Sequence, residues 1–347
     1  MDTQQKVVIA GGSGFLGRPL ARWFAERDWA VTVLSRRPGN IAPRVRSIGW
    51  DGESLGDWTQ ALEGAAAVID LAGRSVNCRY TRANRREIMQ SRVRSTRVIG
   101  EAIAACSSPP AVWLNSSTAT IYRHSIDRPM DDVTGEIGAT AEANDAFSIE
   151  VATTWERTVD EACTPRTRKA KLRIAMVLAF GRGGVFDVLH RLVRCGLGGT
   201  MGPGNQFVSW IHGDDFCRSI EWLIEHGDLS GPVNIAAPNP LPNRELMRLL
   251  RRLCRMPIGL PAASWMLEIG AFFLRTETEL ILKSRRVVPR RLLDSGFQFQ
   301  FADAESALAE ILRRSGCDRT SPSPREQAAL KTAKRSFARV DKTYAGS

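Results

Sequence analysis

The motif GGSGFLG at residues 11–17 constrains this chain more than any other feature. It stands between the β-branched run KVVIA and FLGRPLARWFAERD, a stretch typical of an amphipathic helix. Its three spaced glycines permit, in order, a tight turn, a close approach of the backbone to a phosphate, and close packing of the helix on the strand. The motif therefore predicts a dinucleotide site at the N-terminus of that helix, and the alternative is a tight turn that binds nothing.

Short β-branched runs alternate with helical stretches through the first half of the chain. The runs are KVVIA, AVTVLS, VRSIGW, AAVIDLA, AVWLNSS and KLRIAMVLA. Parallel strands need long crossover connections, so this alternation predicts an α/β fold with a doubly wound parallel sheet, the Rossmann arrangement.

The second half of the chain is more broken. It contains the glycine-rich loop GLGGTMGPGNQF, an amphipathic helix that Asp214 or Asp215 could cap, and short strands at PVNIAA and FQFQF. We expect a Rossmann domain over residues 1–240 and a smaller, mostly helical substrate-side domain over residues 241–315. Residues 316–347, which are basic and contain SPSP, are expected to form a flexible tail.

The end of the second predicted strand reads SRRP, with Ser35, Arg36 and Arg37. An acidic residue at this position binds the ribose hydroxyls of NAD, whereas a basic residue accepts the 2′-phosphate of NADP. Because the segment has no acidic residue, it favours NADP(H). An exposed arginine pair without a ligand is the alternative.

The net charge of +11 comes largely from arginine, which is concentrated in residues 79–97. Three interpretations are open: a solvated helix face, a site for anionic ligands, or a nucleic-acid surface. The solvated face ranks first, and we expect no nucleic-acid partner because no recognised nucleic-acid motif accompanies the charge.

Seven scattered cysteines without a CxxC pair indicate reduced thiols in a cytoplasmic setting and argue against zinc or a disulfide framework. The four histidines show no ligand spacing, so no metal is expected. No secretory signal is evident at the N-terminus. The apolar stretch LPAASWMLEIGAFFL contains Glu268 and is too short to span a bilayer, so no membrane association is expected.

Several motifs together resemble the extended short-chain dehydrogenase/reductases, in their NAD(P)-dependent epimerase/dehydratase branch. These are GGSGFLG, SRRP, VIDLAG, SSTATIY and WIHGDD. The SR at residues 91–92, WE at 155–156, GLGG at 196–199 and RVVPRRLLDSGFQF from Arg286 are similar to one subgroup, the YfcH-like epimerase-family proteins. The resemblance covers nearly all of residues 6–314.

The resemblance implies a set of cofactor-binding residues. The residues expected along the pyrophosphate are Gly11, Ser13, Gly14, Phe15 and Leu16, and those at the 2′-phosphate are Ser35 and Arg36. Asp51 is expected at the adenine edge, and Leu71, Ala72 and Gly73 along the ribose. Ser116 and Ser117 are expected beneath the nicotinamide.

The resemblance fails at the residues that move the proton. Thr118 occupies the position where the superfamily has a Ser or Thr that polarises a carbonyl, but the tyrosine and lysine positions hold Phe147 and Val151. Tyr122 is the nearest alternative proton donor, and Arg79 or Arg92 could lower its pKa. A buried tyrosine with a satisfied hydroxyl is an equal alternative. Lys283 is the only lysine that could reach over the cleft.

Two functions remain open. The first is an NADP(H)-dependent oxidoreductase or epimerase-like enzyme that acts on a small metabolite, with non-standard proton transfer through Thr118 or Tyr122. The arginine-rich segment favours an acidic metabolite as its substrate. The second is a non-catalytic NADP(H)-binding sensor or partner-binding protein, in which Phe147 and Val151 are ordinary helix core. The oligomeric state stays open.

Overall fold

The computed structural model of the protein describes residues 4–181, 183–261 and 282–315. Its main feature is a seven-stranded parallel sheet in the order β3-β2-β1-β4-β5-β6-β10. These strands are β1 (Lys6–Ala10), β2 (Ala30–Ser35), β3 (Val45–Gly49), β4 (Ala67–Asp70), β5 (Val112–Thr118), β6 (Arg168–Ile174) and β10 (Gly231–Ile235). The predicted doubly wound parallel sheet is confirmed.

Helices pack on both faces of the sheet. They are α1 (Gly17–Ala25), α2 (Arg82–Ala105), α3 (Ala146–Glu161), α4 (Val185–Arg194), α5 (Gly213–Glu225), α6 (Asn243–Leu253), α7 (Arg290–Asp294) and α8 (Ala304–Arg314), with 3₁₀ turns at Asp57–Leu62 and Ala119–Ile121. One core joins α1 and α5 to the sheet, and a second joins α2 and α3 to its other face. The β1–α1 loop thus lies at the carboxyl edge of the central strand, between β2 and β4.

The predicted strand KLRIAMVLA is two strands. β6 ends at Ile174, and the chain then leaves the main sheet to form β7 (Met176–Leu178), which pairs in parallel with β9 (Trp210–His212). The amide of Ala175 still donates to Ile235 O at 3.0 Å, but that of Met176 donates to Ser209 O at 3.1 Å. The run continues through both strands without a glycine or proline, so the sequence does not reveal this change of partner.

The segment FQFQF was wrongly predicted as a strand. The amides of Gln300 and Phe301 donate to the carboxylate of Asp215 at 2.9 and 2.8 Å, in place of a strand ladder. Asp214 and Asp215 were also wrong as caps of α5, because His212 Nδ1 accepts from the amide of Asp214 at 3.1 Å.

The second half forms a further core that joins α4, α6 and α8 to β7 and β9, while β8 (Phe207–Val208) and β11 (Leu241–Pro242) make a small antiparallel pair. This core draws on residues before and after position 240, and the domain boundary there stays a prediction. The predicted tail at 316–347, and helices expected between 262 and 281, lie outside the described residues. No helix in the described ranges has both the length and the apolarity needed to cross a membrane.

Candidate cofactor and catalytic site

At Gly11 and Gly17 the glycine loop is packed so closely that side chains would not fit. Gly11 has φ +73°, and a Cβ atom there would lie 2.9 Å from the backbone of Leu71 and Ala72. A Cβ at Gly17 would collide with the backbone of Gly12, so α1 lies directly on the turn. Gly14, in contrast, is exposed. The loop therefore presents open backbone at one point and close contacts on its other sides.

The start of α1 is suited to an anion. Its first turn has no acidic residue, and the preceding residue, Leu16, makes no side-chain cap. The amide of Arg18 already donates to Gly14 O at 3.1 Å and Pro19 has no N–H, so in this turn the amide of Gly17 is the one that, among the described residues, is left for an outside acceptor. Phe15 is turned toward the loop at Gly181 and Gly184, where a Cβ on Gly184 would lie 2.6 Å from its ring.

A hydroxyl pair joins the glycine loop to the end of β2. Ser13 Oγ and Ser35 Oγ lie 2.8 Å apart, and Ser35 Oγ also accepts from the amide of Arg37 at 3.2 Å. Arg36 and Arg37 are exposed, and within the described residues neither makes an ion pair at 4.0 Å or less. Two uncompensated cations therefore stand beside the loop that has the open helix terminus.

Asp51 follows β3 and is exposed. Its Oδ1 accepts from the amides of Glu53 and Ser54 at 2.8 and 2.9 Å, and these bonds hold the pKa of its carboxyl below the ordinary value. Contact with an adenine stays a prediction for this residue.

The end of β4 passes beside the glycine loop. Leu71 and Ala72 form the wall against which Gly11 packs, and Gly73 follows as an exposed residue. Asp70, the last residue of β4, is fully buried, and its Oδ1 accepts from the amide of Ala72 at 2.8 Å. Burial raises the pKa of Asp70 to about 7.

Ser116, Ser117 and Thr118 lie at the end of β5, the next strand along the sheet. Ser116 and Ser117 are buried, and Ser117 Oγ donates to Glu156 at 2.7 Å. Thr118 is half-buried, and its Oγ1 accepts from the amide of Thr120 at 3.1 Å. That bond uses a lone pair of the Thr118 hydroxyl and leaves its proton to donate.

Tyr122 is completely buried in a polar cluster. Its hydroxyl donates to Asn234 Oδ1 at 2.9 Å and lies 2.9 Å from Arg173 Nη1, which donates to it. Arg173 makes a two-point contact with the carboxylate of Glu156, at 2.8 Å from each oxygen.

The pKa of Tyr122 is therefore governed by burial. Burial raises it above its ordinary value despite the opposing effect of Arg173. The expected lowering by Arg79 or Arg92 is wrong, because the arginine in contact is Arg173 and desolvation outweighs it. This placement corresponds to the alternative of a buried tyrosine with a satisfied hydroxyl, and proton transfer by Tyr122 stays a prediction.

Phe147 and Val151 lie on one face of α3, and neither can donate a proton. Val151 is buried, whereas Phe147 packs edge-on against Tyr80 at 5.0 Å between ring centroids. The guanidinium of Arg85 lies over the Phe147 ring at 4.8 Å. The two positions of α3 where the superfamily has its tyrosine and lysine are therefore occupied by residues that make apolar and aromatic contacts.

Lys283 reaches the segment after β5 from the second half of the chain. It is buried, donates to Thr120 O at 2.7 Å and forms an ion pair with Asp145, the residue before α3. Sequence reasoning identified Lys283 but missed Asp145 and Arg173, which are charged residues in largely buried segments. A charged residue in a buried element requires a partner, so the sequence indicated that Asp145 and Arg173 are paired. It did not indicate with which residue, because the partners are distant in sequence. Among residues 4–181, 183–261 and 282–315, no group of three or more His, Cys, Asp or Glu side chains could hold a metal ion.

Comparisons with known proteins place this geometry in a family. A sequence model of the "NAD dependent epimerase/dehydratase family" matches residues 7–236, and one of a "Domain of unknown function (DUF1731)" matches residues 262–311. The epimerase family protein SDR39U1 of Bos taurus is 30% identical over 88% of this chain and 99% of its own length. The epimerase family protein YfhF of Bacillus subtilis is 27% identical over 88% of this chain and 97% of its own.

A solved structure supports the same placement. The crystal structure of human SDR39U1 (isoform 2) with NADPH superposes with a TM-score of 0.78 at 27% identity, and it covers 89% of this chain and 99% of the human one. These matches confirm the predicted class of cofactor, a nicotinamide dinucleotide. The chain belongs to the NAD-dependent epimerase/dehydratase family, the extended branch of the short-chain dehydrogenase/reductases.

Proposed function

We propose that this protein is an NADP(H)-dependent oxidoreductase or epimerase-like enzyme that acts on a small metabolite. The observation that carries the proposal is the glycine cradle, in which Gly11 packs on Leu71 and Ala72 while Gly14 stays open beside the uncapped start of α1. This arrangement suits a pyrophosphate bound by backbone amides.

The preference for NADP over NAD rests on the end of β2. Ser35 is fixed by its contact with Ser13, and Arg36 and Arg37 are exposed cations next to it. A 2′-phosphate would receive charge-assisted hydrogen bonds from these groups. The NADPH bound by the human relative agrees with this preference.

The nicotinamide cofactor would supply the hydride, and the chain must orient the substrate and move a proton. Thr118 Oγ1 has a proton to donate and could polarise a substrate carbonyl at the end of β5. Tyr122 remains a proposed proton donor, but it would have to exchange its bond to Asn234 for one to the substrate. The arginines at the start of α2 favour a substrate with an acidic group.

A second candidate function is a non-catalytic NADP(H) sensor or partner-binding protein. The observation in its favour is that the ionisable side chains near the end of β5 are engaged with one another. Tyr122 is held by Arg173 and Asn234, and Lys283 by Asp145. In this case the cofactor would be a bound signal rather than a reactant.

Transfer of deuterium separates the two functions. The protein is incubated with NADPH deuterated at C4 on both faces and with a panel of carboxylated ketones, aldehydes and enones, and products are read by mass spectrometry. Deuterium in a product supports the enzyme. Tight NADPH binding without transfer across the panel contradicts a reductase and supports the sensor, once incubation of the same panel's alcohols with NADP⁺ in deuterated water also leaves them unchanged; absence of NADPH binding contradicts both.

The setting proposed for this activity is the cytoplasm. Cys78, Cys106, Cys163 and Cys217 are free thiols, as a reducing compartment would keep them. The proposed partner is a small molecule, with no nucleic acid and no membrane surface.

A further inference from the structure

The strand order fixes which side of the glycine loop each half of the cofactor must occupy. β1 lies between β2 and β4, and β5 follows β4. Since Arg36 stands at the end of β2, an adenosine 2′-phosphate there sends the other half of the dinucleotide over the ends of β4 and β5. That path crosses Gly73, which has no side chain and is exposed.

Arg92 lies along this path. Its side chain is close enough to Gly73 that a Cβ on the glycine would lie 3.4 Å from its Cγ and Cζ. Nη1 of Arg92 donates to Arg74 O at 3.1 Å and to Ile88 O at 2.9 Å. The guanidinium is thus anchored through one nitrogen to neutral carbonyls.

The charge of Arg92 is desolvated and has no direct counter-ion. Within the described parts of the chain it makes no ion pair at 4.0 Å or less with a carboxylate. Burial lowers its pKa to about 10, so the guanidinium stays charged at neutral pH. Arg92 is half-buried, and the hydrogen bonds of its guanidinium to the chain use Nη1, so its remaining N–H groups can donate to a ligand.

The platform beneath Arg92 is held rigidly. Its guanidinium lies over the ring of Trp155, 5.0 Å from the centroid. Trp155 Nε1 donates to Thr96 Oγ1 at 2.9 Å, and Thr96 in turn contacts Asp70 at the end of β4 and Asn115 in the middle of β5. Trp155 lies one turn of α3 after Val151, which occupies the position of the superfamily's lysine. The cation near this position is therefore Arg92 of α2, which lies over the ring of Trp155.

We propose that Arg92 is a cofactor-binding residue that donates hydrogen bonds to the oxygen atoms of the nicotinamide half of NADP(H). The inference rests on the proposed cofactor site and extends it to a residue outside the motifs that mark that site. A fixed guanidinium suits ribose hydroxyl and carboxamide oxygens, because its N–H groups are donors in a rigid plane. It would orient the nicotinamide against the end of β5, where Thr118 lies.

The test compares two ligands that share one half. Dissociation constants are measured by calorimetry for NADPH and for 2′,5′-ADP, which lacks the nicotinamide half, with wild type, Arg92→Met, Arg92→Lys and Arg97→Met. Arg97 is an exposed residue of the same helix and serves as the matched control. Arg92→Met should weaken NADPH about tenfold or more, as expected for lost charge-assisted bonds, and leave 2′,5′-ADP within about twofold.

Arg92→Lys should lie between wild type and Arg92→Met, and it replaces the methionine variant if that variant does not fold. Unchanged NADPH affinity in the Arg92 variants overturns the inference, and so does an equal loss for 2′,5′-ADP, which would mean that the substitution disturbs the loop itself. If wild type binds 2′,5′-ADP and NADPH but the variants do not differ, only this inference fails. If wild type binds neither ligand, the proposed function fails with it.

Discussion

The candidate site has two edges, and different kinds of contact hold each of them together. The cofactor edge, formed by the glycine loop and the end of β2, consists of backbone and short side chains close in sequence, such as Ser13 and Ser35 at 2.8 Å. The proposed catalytic edge, formed by the ends of β5 and β6, consists of buried polar and charged side chains that are distant in sequence. Tyr122 and Asn234, at 2.9 Å, are 112 positions apart.

This difference indicates that the proposed cofactor binding and the proposed proton transfer depend on different residues. The backbone cradle depends on glycine positions and needs no ionisable group. At the catalytic edge, the ionisable groups bind one another, and the expected proton-transfer positions hold Phe147 and Val151. We therefore expect substitutions at the catalytic edge to change stability first, and those at the cofactor edge to change affinity first.

The largest effect should follow Arg173→Met. Removal of the guanidinium leaves the Glu156 carboxylate and the Tyr122 hydroxyl buried without their partner, which should cost about 3–5 kcal/mol in the free energy of unfolding. Urea unfolding measures it. Arg157→Met is the control, since its ion pair with Glu161 is exposed and should contribute less than about 1 kcal/mol. Equal costs for the two variants would show that the catalytic edge is not held by buried charge.

Asp70 lies at the end of β4, between the two edges, and Asp70→Asn tests how its carboxyl makes stability depend on pH. The pKa of Asp70 is raised from 3.8 to about 7, so its stabilising contribution is full below pH 3.8 and is lost as pH rises toward 7. The asparagine does not titrate. The unfolding free energy of the variant relative to wild type should therefore rise by about 2 kcal/mol between pH 5 and pH 7. If the difference in unfolding free energy does not change with pH, the carboxyl of Asp70 has its ordinary pKa in the folded protein, which would contradict the account.

Tyr122→Phe should have a smaller effect on stability, about 1–2 kcal/mol, because Arg173 and Asn234 each lose one buried hydrogen-bond partner. NADPH affinity should not change, since Tyr122 does not touch the glycine loop. If Tyr122 is also the proton donor, turnover of a substrate should fall by on the order of 10²-fold. A less stable variant with unchanged turnover would remove Tyr122 from the catalytic proposal and leave Thr118.

The sequence predicts the cofactor edge better than the catalytic edge for a physical reason. Glycine spacing and the Ser35–Arg36 pair are local signals whose meaning depends on the neighbouring strand and helix alone. The contacts of Arg173 with Tyr122 and of Lys283 with Asp145 depend on the pairing of distant segments, which no local pattern encodes. The same holds for FQFQF, whose amides bond to Asp215 rather than to a strand.

The affinities of wild type and Arg36→Ala for NADPH and NADH test the central claim most directly. Wild type should bind NADPH at least about tenfold more tightly than NADH, because Arg36 and Ser35 are proposed to bind the 2′-phosphate. Arg36→Ala should weaken NADPH by about tenfold, leave NADH within about twofold and leave unfolding stability unchanged, since Arg36 is exposed. Equal affinities of wild type for the two cofactors, or an Arg36→Ala variant that binds NADPH as wild type does, would contradict an NADP(H) site at this edge.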